Sequence, residues 1–124
     1  MRSRNTTEAQ RERFARKWFS EWRPDPPAYG RASQLLDQLI AHDPERAWDL
    51  VLALIHAAPD DDALGCVAAG PLEDLLCDHG AVFIERVETT SRADAHFMNC
   101  LARVWGWSRM EPAVHARMRR ILDR

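Results

Sequence analysis

The side chains with most chemistry to offer are carboxylates, and they crowd the middle of the chain. Residues 34–90 carry twelve acidic groups against two basic ones, Arg46 and Arg86. Asp60, Asp61, Asp62, Glu73, Asp74, Asp78, Glu85 and Glu88 could serve acid–base chemistry, hold a metal, or meet a basic partner. Positions 74 and 78 share a helix face, as two ligands or an acid–base pair would need. Glu73 and Asp74, however, follow Gly70-Pro71 and fall in the first turn of a helix, where acids offset the backbone dipole. Capping accounts for both. Asp60-Asp61-Asp62 lacks the alternating ligands and central glycine of a calcium loop, and reads as a cap followed by exposed acid. No metal and no cofactor is expected. What remains is a surface role, an acidic patch that steers a basic partner toward it. The plainer alternative is a set of solvated helix faces, or basic chain ends folded back on an acidic middle.

Cys66, Cys77 and His79 match no paired, short-spaced zinc pattern, and the cysteines read as buried free thiols. Of five histidines (His42, His56, His79, His96, His115), His56 alone interrupts a strongly apolar helix. It reads as a core histidine bonded to a carbonyl, with a buried functional histidine as the second reading. The sequence has no Gly-rich phosphate loop, no Gly-x-Ser-x-Gly elbow and no His-Glu-x-x-His. No catalytic residue is assigned, and the chain is expected not to be an enzyme. Near the N-terminus Arg11, Arg13, Arg16, Lys17 and Arg23 surround aromatic residues, suitable chemistry for phosphate contact; the acidic middle would repel a duplex. Five tryptophans are present. Trp18, Trp22, Trp48 and Trp105 have periodic apolar neighbours and are expected in the core. Trp107, just past Gly106, and Tyr29 have no helical face. They are candidate interface anchors, or Trp107 covers the ends of the last two helices.

These side chains need a scaffold, and 124 residues suffice for one domain spanning 1–124. Hydrophobic residues are 46% and charged residues 29%, a globular balance. The longest apolar run, Leu50 to Ile55, is too short to span a bilayer. The N-terminal residues lead into a charged helix without an apolar leader core, so an export signal is not expected. Three cysteines leave one unpaired in any disulfide scheme, which points to a reducing, cytoplasmic setting.

Helix signals recur throughout. Thr7-Glu8-Ala9-Gln10 fits a capping box opening a basic aromatic helix to residue 23, with Phe14, Trp18, Phe19 and Trp22 on its apolar side. Pro24, Pro26 and Pro27 end it, making 24–31 a linker ahead of a helical core over 32–124. Leu35, Leu36, Leu39 and Ile40 line a second helix. Asp43-Pro44 starts a third, apolar nearly all round and therefore central. Gly70-Pro71 is expected to separate a short fourth helix from a fifth, and Gly80 the fifth from a sixth marked by Val82, Phe83, Ile84 and Val87, whose β-branching would also suit a strand. Asp94 caps a seventh carrying Phe97, Leu101, Val104 and Trp105, ended by Gly106. Ser108-Arg109-Met110-Glu111 is a second capping box before a last helix lined by Met110, Val114, Met118 and Ile121. The expectation is an all-α, compact single domain of about seven to eight short antiparallel helices, open to HEAT-like stacking of helix pairs.

Ala68-Ala69-Gly70-Pro71-Leu72-Glu73-Asp74-Leu75-Leu76 with His79-Gly80, Trp48 ahead and Val104-Trp105-Gly106 behind, resembles a family of small bacterial helical proteins described only as a domain of unknown function. The resemblance spans roughly residues 44–122, and the Gly-Pro-Leu-Glu-Asp-Leu-Leu run is its most specific part. It implies an all-helical fold and brings no reaction. The expected role is protein–protein interaction, most concretely an immunity or antitoxin protein that neutralises a cognate effector, such as a basic nuclease, through Asp60, Asp61, Asp62, Glu73, Asp74, Asp78, Glu85, Glu88 and Trp107. Two alternatives stand beside it: a nucleic-acid-associated regulator using the basic first helix, and an unrecognised small enzyme.

Overall fold

The computed structural model describes residues 6–24, 27–28 and 30–123, with residues 23, 24, 27, 28 and 107 described for their backbone alone. Helix α1 (Glu8–Glu21) opens on the expected capping box, the Thr7 side chain accepting from the Gln10 amide and Gln10 returning a bond to Thr7. Trp18 is buried, and Phe14, Phe19 and Trp22 pack against the same core. A two-residue antiparallel ladder pairs β1 (Arg23–Pro24) with β2 (Pro27–Ala28).

Helix α2 (Arg31–His42) begins at Gly30, which has no capping side chain of its own. Glu21 of α1 serves instead, accepting from the Ala32 amide at 2.9 Å. That backbone bond holds the Glu21 carboxyl below its ordinary range. A Cβ at Gly30 would lie 2.6 Å from Glu21 Oε1, so glycine is what permits the approach. Leu36 and Ile40 face the core, whereas Leu35, expected on that face, is exposed.

Helix α3 (Pro44–Ala57) starts as expected, with the Asp43 side chain as N-cap and proline at the first position. It buries Ala47, Trp48, Leu50, Val51, Leu54 and Ile55. It packs against α1, α2, α4 (Asp61–Val67), α5 (Glu73–Ala93) and α6 (Ala95–Leu101). Adjacent helices do pair, α1 with α2 and α5 with α6, but they gather round α3. One contiguous apolar core runs from Ala15 to Ile121.

The two breaks expected between residues 61 and 93 are not chain breaks. At Gly70-Pro71 the helix passes through a π turn, Ala68–Leu72. Proline lacks the amide for an α-helical bond and crowds the carbonyl four residues back; a wider turn moves that carbonyl aside. At residue 80 helix α5 continues, kinked at His79 (φ −136°, ψ 24°). His79 bonds through Nε2 to the Ile40 carbonyl in the last turn of α2 at 2.6 Å. Gly80 is a close-approach position, since a Cβ there would meet Val114 Cγ1 at 2.8 Å. These mergers leave the described residues with fewer separate helical bodies than the eight segments expected. The 82–87 segment is helical, with Phe83, Ile84 and Val87 buried and Val82 exposed.

Asp94 caps α6 as expected. The helix ends at Leu101, before Val104 and Trp105. The last helix, α7 (Pro112–Leu122), starts at proline without a side-chain cap; a short 3-10 turn, Trp107–Arg109, occupies the place of the second capping box. Met110, Val114, Met118 and Ile121 are all buried, as their spacing requires.

Candidate functional site

The segment between α6 and α7 passes over the start of α5, anchored at either end by Val104 and Met110, both buried. Between these anchors Trp105 stands 82% exposed. This overturns its expected place in the core. The helical spacing that assigned it there ends at Leu101, so Trp105 no longer shares a face with Phe97.

Glu73 fixes the loop from beneath. Its Oε1 accepts from the amides of Trp105 (3.0 Å) and Gly106 (2.7 Å), and its Oε2 accepts from Arg109 Nη2 at 2.7 Å. Gly106 makes this possible, because a Cβ there would sit 2.5 Å from Glu73 Cδ. The Cys77 thiol donates to the Gly106 carbonyl at 3.6 Å, and the Arg109 amide to the same carbonyl at 3.1 Å. Glu73 itself is buried, at 9% exposure. It stands in the first turn of α5, as expected, but its burial leaves little of it for the partner-facing surface the sequence suggested. Both oxygens are turned inward, and a buried carboxylate satisfied by three donors is a structural brace.

Acidic groups flank the loop on both sides. Arg103 Nη2 pairs with Asp61 Oδ2 at 3.5 Å, and Arg109 also reaches Asp74 Oδ1 at 3.6 Å. Burial pushes the Asp74 carboxyl above its ordinary range; Arg109 opposes that rise, while Asp37 and Asp78 add to it. Asp37 and Asp78 thus both lie within electrostatic reach of Asp74. Asp60 caps α4 by accepting from the Ala63 amide at 2.8 Å, and Asp62 stands exposed beside it. Of the eight acids, Asp61, Glu73 and Asp74 are tied to the Trp105 loop through Arg103 and Arg109.

Glu85 and Glu88 belong elsewhere. Glu88 takes Arg117 in a two-pronged pair, Nε to Oε2 at 2.9 Å and Nη2 to Oε1 at 2.5 Å, which holds its carboxyl below the ordinary range. It ties α5 to α7 and is part-exposed. Glu85 is exposed. The Trp107 side chain and Tyr29, the two aromatic anchors proposed from sequence, lie outside what the structure describes.

The thiols are free, with Cys66 and Cys77 half-buried and Cys100 buried and pushed up to about 12 by that burial. Among the described residues no group of three or more His, Cys, Asp or Glu is placed to hold a metal ion. No helix among them is long and apolar enough to cross a membrane.

Sequence reasoning missed Arg103, Arg109 and Asp37 as members of this neighbourhood. The available signal was Gly106 directly after a tryptophan, a residue pair that permits close backbone approach while presenting a ring. Nothing local linked it to Glu73.

Fold and site define a small all-α domain that displays one braced, solvent-facing tryptophan loop between arginines and carboxylates. The chain belongs to the Family of unknown function (DUF6869), matched over residues 23–124. That span begins at β1, reaches further toward the N-terminus than the motif-based resemblance, and leaves α1 outside. No curated protein and no solved structure matches the chain.

Proposed function

We propose that this chain is a protein–protein interaction module, and that the Trp105 loop is its binding site. The observation that carries the reading is the pairing of an 82% exposed indole with a backbone held by Glu73. Large rings on preorganised backbone make binding hot spots, because little conformational freedom is lost when they are covered. The acids Asp61 and Asp74, tied to the loop through Arg103 and Arg109, with Asp60, Asp62 and Asp78 beside them in the chain or in electrostatic reach, favour a basic partner and fast, salt-sensitive association. In its most concrete form the module is a bacterial, cytoplasmic immunity or antitoxin protein that covers a basic cleft, as in a nuclease effector.

The test is purification of the tagged protein from its native host at low and high salt. The stoichiometric partner is identified by mass spectrometry, and its affinity measured by calorimetry. Trp105→Ala is expected to cost about 2 kcal/mol or more of binding free energy, the range of a hot spot. Stability should move by no more than about 0.5 kcal/mol, as for other exposed positions. Asp74→Arg should slow association and flatten its salt dependence. Unchanged affinity in Trp105→Ala would refute the loop as the site. Nucleic acid as the main co-purifying material would instead move the role to the exposed arginines of α1.

A further inference from the structure

The cleft between α1 and α3 holds an imidazole that the interaction reading does not use. The cavity is about 640 Å³, with Arg11 and Arg16 on its α1 wall, His56 on its α3 wall, and Ala15, Leu52 and Ala53 between them. Glu8, Glu12 and Asp49 also line it. Glu8 and Glu12 stand one turn before Arg11 and Arg16 on α1, where opposite charges neighbour each other. Asp49 acts electrostatically on Arg86.

His56 is not the core histidine its sequence context suggests. It is exposed, and its Nε2 lies 2.7 Å from Asp94 Oδ2. Asp94 is fixed, because its Oδ1 accepts from the amides of His96 at 2.9 Å and Phe97 at 3.2 Å. Burial alone would raise the Asp94 carboxyl, but His56 and these two amides outweigh it and hold the group below its ordinary range. An ionised carboxylate only accepts hydrogen bonds, so Nε2 is the donor in this contact, and in the tautomer protonated at Nε2 the Nδ1 lone pair is available. Among the described residues, those lining the cleft include no serine, threonine, cysteine or tyrosine. His56 therefore brings a nucleophilic nitrogen to the cleft lining, which also carries the Arg11 and Arg16 guanidinium groups and the carboxylates Glu8, Glu12 and Asp49. Arg11 is steadied there by donating to the Thr6 carbonyl at 2.5 Å.

We propose that His56 accepts a phosphoryl group on Nδ1 from a small phosphodonor, a phosphoramidate or an acyl phosphate, with Arg11 and Arg16 holding the phosphoryl oxygens. The Nδ1 lone pair forms the new bond to phosphorus. The bond to the leaving nitrogen or acyl oxygen breaks, and its electron pair departs with ammonia or the carboxylate. The ring becomes an imidazolium whose positive charge is paired with Asp94, so the same carboxylate that orients the ring stabilises the product.

The test uses the full chain with phosphoramidate at neutral pH and maps the modified histidines by fragmentation mass spectrometry. His56 is expected to be modified ahead of the exposed His42, and ahead of His96, whose ring stacks on it at 6.2 Å, by roughly tenfold, by analogy with the carboxylate partners of metal-bound histidines. His56→Gln should remove that fast site. Asp94→Asn, which keeps an oxygen for the α6 cap and loses the charge, should slow modification of His56 by a similar factor. Arg16→Gln should slow it too; lying on the exposed surface of α1, it decides the matter even if Asp94→Asn does not fold. Modification of His56 no faster than His42 and His96, or an unchanged rate in Arg16→Gln, would overturn the proposal.

Discussion

Trp48 and Trp105 are opposite uses of the same side chain. Trp48 sits on α3, 5% exposed, with its ring stacked on Phe83 at a centroid distance of 5.4 Å and tilted against Phe97 at 5.8 Å. Its backbone is cared for by the helix, and its ring does the packing. Trp105 has no helix around it and its ring is in solvent, while the Glu73 carboxylate supplies the hydrogen bonds its backbone would otherwise lack. In one region the backbone is regular so that the ring can be buried. In the other a buried carboxylate is used so that a ring can be displayed. Only the first arrangement pays back directly in stability, through apolar area removed from water.

The sharpest way to break that contrast is to truncate both rings. Trp48→Ala should cost roughly 3–5 kcal/mol, the range for removing a large buried aromatic side chain. A domain of ordinary stability has about 5–15 kcal/mol in total. Urea unfolding should therefore show a much lower midpoint, or a protein already largely unfolded. Trp105→Ala should leave the same curve nearly in place. Equal losses for the two would mean that Trp105 is packed in solution and that the loop is part of the core.

The next effect is that of the brace. Glu73→Ala orphans the amides of Trp105 and Gly106 and one arm of Arg109, which should cost about 1–3 kcal/mol. Hydrogen exchange is the discriminating measurement. The Trp105 and Gly106 amides should lose protection well beyond the drop across α3. A uniform loss of protection would make Glu73 an ordinary contributor to the fold, with no special hold on the loop.

How far the sequence reveals these two regions follows from the range of the interactions. Thr7, Asp43, Asp60 and Asp94 cap helices through partners two or three residues away, and each is legible from local spacing. The all-apolar character of α3 likewise announces its central place, and Trp48 with it. Glu73 acts on residues 32 to 36 positions later, and nothing in its surroundings distinguishes it from Asp74, which stays half-buried at the surface. Local rules make both of them first-turn acids. Gly70-Pro71 and Gly80 carry real signals, but of a π turn and of a close approach by Val114, and both can be mistaken for helix ends. His56 and His79 exchange roles for the same reason. His79 takes the backbone carbonyl expected for His56, while His56 meets a carboxylate 38 residues away.

Asp74 gives the smallest effect and separates display from packing most finely. Burial and the nearby Asp37 and Asp78 raise its carboxyl above the ordinary value, so the fold disfavours its charged form relative to the unfolded chain. For an acid shifted upward, that disadvantage is fully present at neutral pH. It fades as pH falls through the raised value and is gone below the ordinary one, where the group is protonated in both states. Asp74→Asn should therefore shift the urea midpoint slightly upward at neutral pH, and the gain over wild type should shrink steadily on acidification. A loss at neutral pH would show that the Arg109 contact outweighs the burial of charge. Asp74 would then join Glu73 as part of the brace. A gain shows a charge kept beside Trp105 at a cost to the fold, which is what a surface selected to meet a basic partner requires.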